Sequence, residues 1–134
     1  MLKDIPNFKV EEVAIAVVQD KNEKAEKIWN VYIINLKNKK IQSVLITSKG
    51  YGSIEGEEVK TSTLRHFLED VPAQTFLKIE PIMDSLFGLH NEYWLSFFLD
   101  GVMYDKKYVF LAESIKEEHL VNIPLMHKKG VMIL

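Results

Sequence analysis

Glu92-Tyr93-Trp94-Leu95-Ser96-Phe97-Phe98-Leu99-Asp100-Gly101-Val102-Met103-Tyr104-Asp105-Lys106-Lys107-Tyr108-Val109-Phe110-Leu111 carries the clearest structural signal in the chain. Two runs rich in aromatic and β-branched residues flank Asp100-Gly101, a dipeptide that suits a two-residue type I′ turn because both central positions need positive φ. With Leu99 opposite Val102, Phe97 falls opposite Tyr104, Ser96 opposite Asp105 and Trp94 opposite Lys107. Side chains alternate across a strand. Tyr93, Leu95, Phe97, Tyr104 and Tyr108 therefore share one face, and Trp94 with Lys107 forms a cation–π pair.

Upstream, Val10 to Gln19 reads as a strand. Val13, Ile15 and Val17 line one face and Ala14, Ala16 and Val18 the other; two apolar faces suit a strand covered on both sides. Asp20 to Glu26 is a charged connection. Ile28 to Leu36 and Ile41 to Ser48 are further strands, joined by a turn at Lys37-Asn38-Lys39-Lys40 in which Asn38 tolerates the left-handed conformation. These three strands predict an antiparallel meander. Gly50 to Gly56 reads as a glycine loop. Leu64 to Asp70 then reads as a helix, capped by Ser62 or Thr63, with Leu64, Phe67 and Leu68 at i, i+3, i+4 spacing and Pro72 as its stop. Thr75 to Ile82 alternates as a strand, and Pro81 marks an edge or an end. Met83 to Leu89 predicts a helical turn ended by Gly88. Ser114 to Glu117 has capping-box spacing, which predicts a short helix over Ala112 to Val121. Val131 to Leu134 is expected to tuck against the domain. Met1 to Lys9 is an irregular lead-in.

The expected class is α+β: one domain over residues 1–134, a mainly antiparallel sheet of about six strands, and two or three short helices. A length of 134 residues suits one domain, and 47% hydrophobic with 27% charged residues is ordinary for a globular core. The 17 basic and 19 acidic residues are interspersed, giving a net charge of -2 and no broad positive field, which disfavours nucleic acid as a partner. The chain has no cysteine, which excludes disulfides, zinc–thiolate and iron–sulfur sites, and a cysteine nucleophile. Ala14 to Val18 is too short an apolar run for a signal peptide and follows Glu11 and Glu12, and no stretch approaches a membrane span. These features together predict a cytoplasmic protein that does not engage a membrane.

No catalytic residue, metal ligand or cofactor is assigned from the sequence. His66, His90, His119 and His127 show no close metal-binding spacing. His66 and Glu69 read as an ordinary contact one helical turn apart. There is no Gly-x-Ser-x-Gly elbow, and Ser53 and Ser62 read as turn and cap. Paired carboxylates at Glu11-Glu12, Glu57-Glu58 and Glu117-Glu118 diverge by geometry on a strand or helix.

Two surfaces remain. Trp94, Phe98, Met103 and Lys107 on the aromatic hairpin form an expected interface for self-association or a protein partner, where Trp, Phe and Met are enriched. The alternative is a small anionic ligand or an enzymatic site where Lys60, Ser62, Thr63, Arg65 and His66 gather at the start of the expected helix, since helix N-termini attract anions. A third reading takes the aromatic residues between Phe87 and Phe110 as a stacking platform for single-stranded RNA.

At Leu64-Arg65-His66-Phe67-Leu68, at Phe87-Gly88-Leu89-His90-Asn91-Glu92-Tyr93-Trp94 and from Asp100 to Phe110 the chain resembles a group of small uncharacterised bacterial proteins. The resemblance extends over most of the length. It implies no activity, cofactor or catalytic residue.

Overall fold

Strand alternation, rather than helical spacing, organises nearly all of this chain. The computed structural model describes residues 9–134; apart from Lys9, the expected N-terminal lead-in lies outside the described residues. Among the described residues ten strands run in chain order: β1 (Val13–Lys21), β2 (Lys27–Asn35), β3 (Ile41–Ile54), β4 (Glu57–Lys60), β5 (Leu64–Val71), β6 (Thr75–Pro81), β7 (His90–Leu99), β8 (Val102–Phe110), β9 (Val121–Ile123) and β10 (Lys128–Ile133). They form two sheets of five strands, β6-β2-β1-β10-β9 and β4-β3-β7-β8, with β5 paired to the same side of β3 as β4. Every pairing is antiparallel. The fold is therefore a two-sheet all-β sandwich and not the expected α+β domain. Among the described residues the only helical pieces are two 3-10 turns, Asp84–Leu86 and Glu117–His119.

The hairpin is as read. β7 and β8 pair Leu99 with Val102, Phe97 with Tyr104, Ser96 with Asp105 and Trp94 with Lys107. Asp100 and Gly101 take φ of 51° and 76°, the left-handed values a type I′ turn needs. Tyr93, Leu95, Phe97 and Tyr108 are buried, with Tyr104 packed against them. The Lys107 ammonium lies 5.8 Å from the centre of the Trp94 ring.

β1 is covered on both faces, as its two apolar stripes predict. Val13, Ile15 and Val17 join the main core between the sheets. Ala14, Ala16 and Val18 pack with Tyr32, Ile34, Ile123 and Met126 in a second, smaller core on the outer side of the first sheet. The segment around β9 supplies that cover.

Several local expectations are corrected. β1 and β2 pair, but the third strand of the expected meander leaves the sheet: β6 takes the free edge of β2, and β3 enters the second sheet beside β7. Asn38 in the intervening turn does not use the left-handed region. The expected glycine loop is mostly strand. β3 runs on through Gly50 and Gly52 to Ile54, and only Glu55-Gly56, at φ of 52° and 81°, makes a turn. The expected helix at Leu64–Asp70 is β5. A bare edge of β3 there would leave a row of backbone donors and acceptors unpaired, and that demand overrides a short helical pattern. The capping box also fails. The Ser114 hydroxyl donates to Leu111 O at 2.6 Å, and the 3-10 turn Glu117–His119 has no side-chain cap.

Candidate functional site

β6 carries an irregularity that matters for its chemistry. Leu77 opposes Ile33 and Lys78 opposes Tyr32, but Glu80 opposes Val31, so Ile79 is the extra residue of a bulge. Plain alternation would place Glu80 with Lys78 on the outer face. The bulge turns it inward instead, on the side of the buried Val31.

There the carboxylate meets the second sheet. His66 Nε2 lies 2.7 Å from Glu80 Oε1. The Ser48 hydroxyl donates to the same oxygen at 2.8 Å, and the Tyr93 hydroxyl donates to Oε2 at 3.0 Å. Burial raises the Tyr93 phenol well above its ordinary value, and the neighbouring Glu80 charge and hydrogen bond reinforce the shift. Four strands, β3, β5, β6 and β7, thus converge on one carboxylate. A nucleophilic triad places the imidazole between hydroxyl and carboxylate. Here the carboxylate is in the middle, so Ser48 has no base of matched strength and the arrangement does not activate it.

A cavity of about 380 Å³ opens beside this cluster. Ser48, Gly50, Asn91 and Tyr93 form one wall, Pro81, Ile82 and Leu86 another, and Ser62, Leu64 and Met83 stand at its mouth. Gly50 is tightly enclosed here. A Cβ would come 3.1 Å from Thr61 Cγ2 and 3.3 Å from Asn91 Oδ1.

Of the five residues expected to gather around an anion, the structure brings Ser62 to this cavity and points His66 at Glu80. The expected helix N-terminus does not exist. Arg65 alternates with His66 and pairs with Thr47 on the outer face. Lys60 pairs with Tyr51 on that same outer face, beside a more open groove of about 820 Å³ with His90 and Glu92. Thr63 is exposed between β4 and β5. Glu80, the centre of the cluster, was not singled out from sequence.

A second buried charge lies at the far end of the first sheet. Asp20 accepts hydrogen bonds from Asn30 Nδ2 at 2.7 Å and the Tyr32 hydroxyl at 2.8 Å, and it pairs with Lys128. Burial pushes its pKa up. The three hydrogen bonds, from Asn30, Lys128 and Tyr32, and the Lys128 charge outweigh that and hold it below the ordinary carboxylate value. Asn30 Oδ1 is buried with no partner among the described residues.

The expected interface residues all reach the outer face of the second sheet. Trp94, Phe98 and Met103 are exposed there, as is Lys107. Tyr93, Phe97, Tyr108 and Phe110, which an RNA platform would need in the open, are buried. No group of three or more His, Asp or Glu side chains among the described residues is placed to hold a metal ion. No helix of the described residues is long and apolar enough to cross a membrane. No protein-family model and no curated protein matches this chain.

Proposed function

We propose that this chain is a non-catalytic binding module that associates with a second copy of itself through the outer face of the β5-β3-β7-β8 sheet. The supporting observation is a cluster of five large apolar side chains on that face: Phe67, Met103, Trp94, Phe98 and Leu45, exposed by 63%, 56%, 45%, 42% and 37% respectively. They are neighbours by register. Phe67 opposes Leu45, Leu45 opposes Ser96, and Phe98 opposes Met103. Scattered exposed hydrophobics need no explanation, whereas a contiguous group across four strands does.

The contrast between the two sheets strengthens the reading. The outer face of the first sheet is covered by Ile123 and Met126 from the chain's own C-terminal segment. The second sheet has no such cover among the described residues. Its apolar cluster is ringed by both signs of charge, Arg65 and Lys107 with Glu69 and Asp105, which a two-fold arrangement can pair across an isologous contact. Four strands about 4.8 Å apart and about eight residues long give a face of roughly 500 Å² in projection, near the low end of what a specific dimer needs.

Size-exclusion chromatography with light scattering across a concentration series tests this. The mass should double as concentration rises, and Phe98→Glu or Phe67→Glu should hold the chain monomeric without unfolding it. A parent chain that stays monomeric throughout ends the reading.

A further inference from the structure

We propose that the cavity beside Glu80 binds a small organic cation: a primary ammonium or guanidinium group on a short apolar body. Donors and acceptors around the cavity are unequally committed. Most of the protons that line the cavity are already committed, the exposed Ser62 hydroxyl at its mouth being the exception. The Ser48 and Tyr93 hydroxyls both donate to Glu80. The Thr61 hydroxyl accepts from Gly50 N–H at 2.8 Å and donates to Ser62 O at 2.9 Å. Asn91 Nδ2 donates to Leu86 O at 2.9 Å and Leu89 O at 3.2 Å.

The acceptors are not committed to the same degree. Those two bonds fix the Asn91 amide so that Oδ1 turns toward Gly50 and the cavity, where it accepts from no donor among the described residues, although Asn91 is only 5% exposed. A carboxylate has about four acceptor positions, and three donors approach Glu80. The lone pairs of Ser48 and Tyr93 are also free to accept. The other charged residue on the wall, Lys49, sends its ammonium 3.7 Å from Glu92 on the opposite face of β3 and does not neutralise the cavity. A site that is negative, rich in acceptors and poor in free protons selects a ligand that brings protons and positive charge. Pro81, Ile82 and Leu86 on the facing wall suit a short hydrocarbon body.

The bland alternative is that Glu80 only clamps the two sheets together. A clamp needs the three hydrogen bonds but not the cavity, and the two roles respond differently to a probe. The site lies between the sheets, on the opposite side of β3 and β7 from the apolar face, so this proposal and the dimer reading can fail separately.

The experiment is a titration of the full chain with n-butylammonium, followed by amide proton–nitrogen correlation spectra, with butyrate and butanol as controls. Saturable shifts at the amides of Ser48, Gly50, Ser62 and Asn91 are expected with the amine and none with the controls. Glu80→Gln should weaken the response about tenfold, the loss of one charge-assisted contact. Ser62→Trp, which obstructs the mouth from an exposed position, should abolish it with the rest of the spectrum unchanged. That second variant carries the test if Glu80→Gln does not fold. No saturable shift, an equal response to butyrate or butanol, or full binding by folded Glu80→Gln or by Ser62→Trp overturns the proposal.

Discussion

The rings of Phe97 and Tyr104 stack across the β7–β8 hairpin, 5.4 Å between centres and 11° between planes. Their contact fixes which side of the second sheet faces inward. Phe97 is fully buried in the main core, while Trp94 and Phe98 are left on the opposite face.

That division predicts opposite outcomes for neighbouring residues. Phe97→Ala removes a buried ring and should cost about 3–5 kcal/mol. Phe98→Ala should cost less than about 1 kcal/mol. Urea unfolding of both variants distinguishes them, and equal costs would contradict the assigned faces.

Asp20 sets the acid limit of the first sheet. Its folded pKa lies below the ordinary value of 3.8. The stabilisation is therefore complete above that value and is lost as pH falls through the lower folded pKa. Asp20→Asn should destabilise the chain by about 2–4 kcal/mol near neutrality, because it leaves Lys128 and two donors without their carboxylate. The gap from the parent should close under strongly acidic conditions. Denaturant midpoints measured as a function of pH read this directly.

Tyr32 sets a limit at the other end. Burial, with the hydrogen bond and charge of Asp20, raises its phenol from 10.0 to about 12. A raised folded value favours the neutral form, so this contribution holds below pH 10 and fades as pH approaches 12. Burial also raises Tyr93 and Tyr108. The ultraviolet phenolate signal of Tyr32, Tyr93 and Tyr108 should therefore appear together with unfolding. An early signal from all three, with the fold intact, would contradict their burial.

Asn35 ties two turns together. Its Nδ2 approaches Lys39 O at 2.9 Å, Pro72 O at 3.0 Å and Val71 O at 3.2 Å, while Oδ1 accepts from Lys37 N–H at 3.0 Å. Asn35→Asp replaces that donor with an oxygen facing three carbonyls in a fully buried position. It should cost about 3 kcal/mol or more, measured by thermal unfolding.

Gly130 has no room for a side chain. A Cβ there would lie 2.4 Å from Val17 O and 3.0 Å from Val18 Cα, both on the backbone of β1. Gly130→Ala must push the strands apart. It should cost about 3 kcal/mol, and hydrogen exchange should show weakened protection at Val17 and Val131.

The parts of this fold that were legible in the sequence depend on local chemistry. Asp100-Gly101 specifies its turn within four residues, and the alternation around it specifies the faces. The two apolar stripes of β1 announced two covering layers. The partner of each strand is a non-local choice, so nothing near Ile41 signalled that β3 would change sheets. Leu64, Phe67 and Leu68 did have helical spacing, but His66 and Leu68 also alternate with Arg65 and Phe67, and pairing with β3 decided between the two patterns. Ser62 and His66 were singled out for the wrong neighbours. Glu80 was illegible because simple alternation puts it outside, and only a one-residue bulge set by pairing with β2 reverses it.

The pairing of β1 with β10, Val17 beside Val131, bears on how the chain reaches this state. β1 can find β2 early, but its other neighbour emerges from the ribosome only after nearly all the remaining strands. Until then one margin of β1 is bare and a row of small apolar residues, Ala14, Ala16 and Val18, has no cover from Ile123 and Met126. Such long-range closure makes for slow folding, on the millisecond-to-second scale typical of β sandwiches. It also leaves an unpaired strand edge in the nascent chain, the kind of surface through which partly folded chains aggregate.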